Sequence, residues 1–194
     1  MACLQTLSSC ATIVLLLVLV PHTCTASTLQ DKCEKYAGGT QSDYDFCMKT
    51  MQIDAASATA DARGLAVIAA IIARAMANVT EDRIEAELRL RDAGAAPPAR
   101  RDRLSACAAE YAATARRLEL AARVAAGPAG GGARELRQAQ AILFEAYGAA
   151  ELCDAEFANA GLPGSPVTAA DRRLDGVISM AISFLPIASS KTRA

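Results

Sequence analysis

Residues 122–138 read "ARVAAGPAGGGARELRQ", and the centre of this stretch, "GPAGGGA" at 127–133, cannot continue a helix. Proline lacks the backbone donor and crowds the preceding turn, and consecutive glycines lose the most conformational freedom on ordering. On both sides, apolar residues recur at steps of three and four. Leu104, Cys107, Tyr111, Ala115, Leu118, Ala122 and Ala125 mark one stripe from about Pro98 to Ala126. Leu136, Ala139, Leu143, Ala146, Ala150, Cys153 and Phe157 mark another over about 133–160. Two amphipathic helices joined by so short a break must lie antiparallel, each burying one face.

Further from this loop the same pattern repeats. A helix from about Asp61 to Ala93 turns Leu65, Ile68, Ile72, Met76 and Val79 inward. Another opens at "SPVTAAD" (165–171), where Ser165 can cap and Pro166 suits the first helical position. It carries Val167, Ala170, Leu174, Val177, Ala181 and Leu185 inward until Pro186. The breaks "GAAPP" and "GLPGSP" are also short. An all-α, up-down-up-down four-helix bundle over 59–194 follows, preceded by an N-terminal helical hairpin over 27–58. Abundant alanine and the absence of Trp suit helices packed closely through small side chains.

The N-terminus sets the compartment. Residues 11–20, "ATIVLLLVLV", form an apolar run about half the length needed to span a bilayer. Followed by "HTCTAS", the run reads as a secretory signal peptide over 1–26, cut after Ala26; the alternative is a retained anchor. Cleavage removes Cys3, Cys10, Cys24 and the single histidine, His22, and leaves Cys33, Cys47, Cys107 and Cys153. Four cysteines in an exported chain read as two disulfides rather than a metal site, for their spacing lacks paired ligand knuckles. Cys107 and Cys153 each stand 23 residues from Gly130, the centre of the loop, so an antiparallel pair brings them side by side. Of the three possible connectivities, Cys107–Cys153 is the natural one, which leaves Cys33 with Cys47. That second pair closes "KCEKYAGGTQSDYDFC" (32–47), two helical pieces too short to persist alone.

Charge is nearly balanced, 20 basic against 21 acidic residues without a basic block. Nucleic acid and anionic membranes are therefore not expected as partners. No metal or cofactor is expected, and the mature chain has no imidazole for general-base work. The acidic pairs Glu81 with Asp82 and Glu85 with Glu87 have the spacing of an exposed helix face, so no enzyme is expected.

These segments resemble the plant invertase and pectin methylesterase inhibitor family. The resemblance runs over about 29–190 and rests on "YDFC" (44–47), "RGLAVI" (63–68), "LSACAAEYAATARRLELA" (104–121), "AYGAAELCDAEF" (146–157) and "SPVTAADRRLDGVISMAISFL" (165–185). "YDFC" and "SPVT" are most similar to the subgroup of the plane-tree pollen allergen. The resemblance implies a four-helix bundle with an N-terminal hairpin, disulfides joining the first cysteine to the second and the third to the fourth, and secretion to the cell wall or vacuole. It also implies noncovalent binding to a carbohydrate-active enzyme, a pectin methylesterase or an acid invertase. Invertase-directed members carry Pro-Lys-Phe where the third bundle helix begins; here the stretch is "GGGARELRQ". Members directed at pectin methylesterase often carry Trp there and Thr before the fourth cysteine; here Trp is absent and Leu152 precedes Cys153. Both targets stay open. So do two other readings: a secreted structural or pollen protein of the same fold without inhibitory activity, and a small-ligand carrier.

The resemblance implies a contact surface on the second and third bundle helices. With Leu143 and Ala146 inward, Phe144 points the other way and Tyr147 lies on the flank. Aromatic anchors of this kind dominate interface energetics. The alternative places Phe144 beneath the hairpin or a neighbouring helix. Arg103, Glu110 and Arg117 on the second helix, with Arg137 and Gln140 on the third, are expected to be exposed, as contacts or as a solvated face. "NVT" at 78–80 makes Asn78 a glycosylation sequon.

Overall fold

A Gly38-Gly39 pair with φ of 56° and 93° bends the chain back between two short helices, α1 (Thr28–Ala37) and α2 (Gln41–Met51). Only glycine takes two such dihedrals in succession without strain. The computed structural model describes residues 28–92, 98–127 and 132–186. After α2, a 3-10 turn at Ala55–Ala58 leads into α3 (Ala62–Asp92). Then come α4 (Pro98–Ala126), α5 (Ala133–Ala146), α6 (Ala149–Asn159) and α7 (Thr168–Phe184). The expected signal peptide, 1–26, lies outside the described residues.

α3, α4, the α5–α6 pair and α7 close into a ring of antiparallel neighbours: α3 packs on α4 and α7, and α5 and α6 bridge α4 to α7. This is the up-down-up-down bundle that the short loops require. Every expected inward residue of α4 is buried, from Leu104 to Ala125. So are Leu136, Ala139, Leu143, Ala146, Cys153 and Phe157; the side chain of Ala150 lies outside the described ones. α3 is apolar and long enough to satisfy a membrane-span criterion over Ala62–Leu90. Here its buried side chains Leu65, Ala69, Ala73, Ala77 and Ile84 join the common core, while Arg74 and Arg83 are exposed.

Both disulfides are present. Cys33–Cys47 spans 5.5 Å between Cα atoms, and Cys107–Cys153 spans 5.1 Å. The first does more than close the hairpin. Cys33, Cys47, Leu29 and Met51 are buried within the same apolar cluster as the bundle residues, so hairpin and bundle share one core. Two hydrogen bonds fix the hairpin to α7: Lys32 Nζ donates to the Phe184 carbonyl at 3.1 Å and Tyr36 Oη to the Gly176 carbonyl at 3.3 Å. The first places a cation on the C-terminal end of α7, where the helix dipole favours it. Gly176 lets the hairpin approach closely, since a Cβ there would stand 2.9 Å from the Phe46 ring and the ring would have to shift.

Three expectations are corrected. The third bundle helix is not continuous: it breaks at Tyr147 (φ −71°, ψ 138°) and Gly148 (φ 90°). The break is tolerable because Asp175 of α7 accepts the Gly148 N–H at 3.2 Å, replacing the helical partner. The last helix begins at Thr168, not at Pro166. Ser165 instead caps the preceding turn, accepting the Val167 N–H at 3.2 Å, and the Thr168 hydroxyl reaches Asp154 of α6 at 2.7 Å. Val79 is not inward but 49% exposed. In this part of α3 the buried line runs through Ala73, Ala77, Thr80 and Ile84, which places Val79 off the core face.

Candidate functional site

α5 buries Leu136, Ala139, Ile142, Leu143 and Ala146. The spacing that sends these inward leaves Arg137, Gln140 and Phe144, at steps of three and four, together on another side of the helix. Phe144 is 58% exposed and Tyr147, at the break, 48%. The ring of Phe144 is therefore not beneath the hairpin or a neighbouring helix. Arg137 is exposed and Gln140 half-buried. Leu152, in the first turn of α6, is 58% exposed and adds a third large apolar group near the break. The regular stripe passing through Cys153 already turns its predecessor away from the core, so this position was readable from spacing although it was not singled out.

The break is held from behind. Asp175 receives the Gly148 amide, and burial raises its carboxyl above the ordinary value of 3.8; that hydrogen bond opposes the rise and Glu151 reinforces it. Tyr36 of the hairpin is raised above its ordinary 10.0, first by burial, then by Asp43 and Tyr147. It therefore stays a neutral donor to Gly176. Burial, aided by Lys35, lowers Lys32 from 10.5. The exposed aromatic groups thus stand on a segment anchored to α7, with the hairpin close by.

On α4, Arg103, Glu110 and Arg117 recur every seven residues and are half-buried rather than fully exposed. That is a correction to the expectation, and it has a simple cause: each is drawn into an ion pair. Arg103 bonds Glu156 of α6, and Arg117 Nη1 lies 2.9 Å from Glu110 Oε1. The register set by Cys107–Cys153 puts Phe144 about level with Arg116 and Arg117. Arg137, Gln140, Phe144 and Tyr147 thus lie on α5 and its break, with Tyr147 near Tyr36 of the hairpin, whereas Arg117 and Arg103 lie on α4 and Arg103 is joined to α6.

The remaining candidates lie elsewhere. Asn78 is exposed on α3 and lines a shallow depression with Arg74, Glu81, Arg116 and Glu119, on the α3–α4 seam. Glu81 is half-buried there, Asp82 and Glu85 are exposed, and Glu85 pairs with Arg89 at 3.3 Å. Among the described residues, no three histidine, cysteine or carboxylate side chains converge as a metal set. What α5, its break and the first turn of α6 offer is exposed apolar surface, Phe144, Tyr147 and Leu152, with Arg137 exposed on the same helix as Phe144.

A family model described as plant invertase/pectin methylesterase inhibitor matches residues 19–184. The match starts before the hairpin and ends with α7, so it takes in both disulfides and all the helices described above. No curated protein matches the chain significantly.

Proposed function

The chain belongs to the plant invertase/pectin methylesterase inhibitor family, and from that premise we propose that it is a secreted proteinaceous inhibitor of one cell-wall carbohydrate-active enzyme, a pectin methylesterase or an acid invertase. Members of the family are inhibitors rather than enzymes, and this chain acts by noncovalent occlusion of its target's cleft. The observation that carries the reading is the exposed Phe144–Tyr147 pair on a segment pinned by Asp175 and Gly148. An aromatic anchor already fixed in place loses little freedom on docking, so more of its contact energy survives as affinity. Arg117, Arg137 and Gln140 form the polar frame of the same surface; Arg103 and Glu110 hold the α4 flank.

Secretion follows cleavage after Ala26 and delivers the protein to the apoplast, with the vacuole as the other destination. Oxidation of both cysteine pairs suits that route. Asn78 carries an N-glycan in this reading. Its position on the α3–α4 seam sets the sugar on a different helix from Phe144, so deglycosylation is expected to lower mass without changing inhibition.

The test is a side-by-side inhibition assay of the purified, oxidised protein against one pectin methylesterase and one acid invertase. Saturable inhibition of one enzyme, at about one inhibitor per enzyme, is expected. Inhibition of neither would leave a secreted structural protein of this fold and overturn the proposal.

A further inference from the structure

Residues of α3 and α7, with Ile53 beyond α2, line an open groove of about 550 Å³. Its lining is mostly apolar: Ile53 beyond α2, then Ile72, Met76 and Val79 of α3, and Ala170 of α7. Thr80 contributes its methyl group, because its hydroxyl is already donated to the Met76 carbonyl at 3.0 Å. Ile53 is 73% exposed, which makes it among the most solvent-exposed large apolar side chains described. Two guanidinium groups, from Arg83 and Arg173, line the same groove. Both are exposed, and neither has a hydrogen bond or ion pair among the described residues. The carboxylate of Glu87 lines an adjoining depression with Ile84, Pro166 and Val167, and Arg83, Ala169 and Ala170 line both that depression and the groove.

An apolar trough with two guanidinium groups unpaired among the described residues is complementary to a molecule that is apolar along its length and anionic at one end. We propose that this groove binds a free amphipathic monocarboxylate, its chain along Ile53, Ile72, Met76 and Val79 and its head on Arg83 and Arg173. The volume falls within the range of small-molecule sites, about 300 to 1,000 Å³. A guanidinium fork matches a carboxylate in geometry as well as charge. The chain's own residues 187–194 are a poor occupant, since Lys191 and Arg193 bring the same sign of charge as the two arginines. The site is independent of the inhibitor reading: it lies between α3 and α7, and its occupancy can be measured without an enzyme.

The experiment titrates the mature oxidised protein, residues 27–194, with dodecanoate, below its micelle concentration, by calorimetry and by methyl NMR. Dodecyltrimethylammonium, with the same chain and the opposite charge, is the control. Dodecanoate is expected to bind at one equivalent and to shift the methyl signals of Ile53, Ile72, Met76 and Val79. Arg83→Gln combined with Arg173→Gln weakens it about tenfold, the loss of roughly one charge-assisted contact. Ala75→Trp, which fills the groove from an exposed position, abolishes binding. The proposal is overturned by absence of binding, by equal affinity for the cationic control, or by methyl shifts outside the groove. Concentration-dependent dimerisation that Ala75→Trp removes would likewise overturn it, by making a second copy the occupant.

Discussion

Thr114 is wholly buried in α4, and its hydroxyl has no hydrogen-bond partner among the described residues. Removing an unsatisfied buried hydroxyl while nearly preserving shape should stabilise the fold, so Thr114→Val is expected to gain about 1 kcal/mol. In a chain of this size that raises Tm by roughly 2 to 4 °C in a melting scan; a lower Tm would mean the hydroxyl is satisfied after all. Asp175 makes a pH-dependent prediction. Its folded carboxyl titrates above the ordinary 3.8, mainly through burial. The folded state therefore holds this proton more tightly, and the contribution that favours folding is complete below that value and lost as pH rises through the folded pKa. Asp175→Asn keeps an acceptor for Gly148 and carries no charge. Its Tm should exceed that of the wild type at neutral pH, and the gap should close on acidification; a gap that widens contradicts the assignment. Phe144→Ala should weaken inhibition by about 2 kcal/mol or more, roughly thirtyfold, while leaving Tm nearly unchanged. Retained inhibition with a large fall in Tm would make Phe144 a packing residue. The outward direction of Phe144 was legible because Leu143 and Ala146 fix the phase of their helix. Val79 falls off the core because the steps of three and four that run from Leu65 through Ile68, Ile72 and Met76 drift away from the buried line through Ala77 and Thr80.

The helix α4 was legible to the residue, since Pro98 and Gly127 bound an uninterrupted stripe. α5 and α6 were not separable, because inward positions keep a helical rhythm straight through Gly148. What decides the break is Asp175, 27 residues away in sequence, and local pattern carries no trace of such a partner. The start of α7 was hidden for a similar reason: Ser165 lies within hydrogen-bond distance of the Cys153 sulfur, 3.3 Å away, and caps a turn instead of the helix. The disulfide pairing survived these errors because it depends on distance from the loop, not on helix continuity. Closing chain separations of 14 and 46 residues should stabilise by roughly 3 and 4 kcal/mol in the chain-entropy model. For the hairpin, docking matters as much as the covalent link. Gly176→Leu would drive a side chain into the Phe46 ring and the Tyr36 hydroxyl. Hydrogen exchange should then accelerate over residues 28–51 and remain slow in α4; unchanged exchange in the hairpin would show that the α7 contact does not hold it.

At the scale of the molecule, loop lengths and stripes determine the bundle, and the family match covers it from end to end. The way the hairpin enters the common core was not readable, because Leu29, Cys33, Cys47 and Met51 are too few to show a face of their own. Nor does the sequence name the target, as this chain lacks both the Pro-Lys-Phe and the Trp signatures. The structure adds an exposed aromatic pair on α5 and its break, on a different helix from Asn78 and from the lining of the α3–α7 groove. A typical partner interface buries about 800 Å² on each side, enough to cover that surface and the adjoining edge of α4. The most direct test is hydrogen–deuterium exchange on the oxidised protein, free and bound to the enzyme it inhibits. Protection confined to about residues 117–152, with the rest of the bundle already slow before binding, is the predicted result. Protection centred on the hairpin or on α3 and α7, or new protection spread along the whole chain, would contradict a preformed surface built around Phe144.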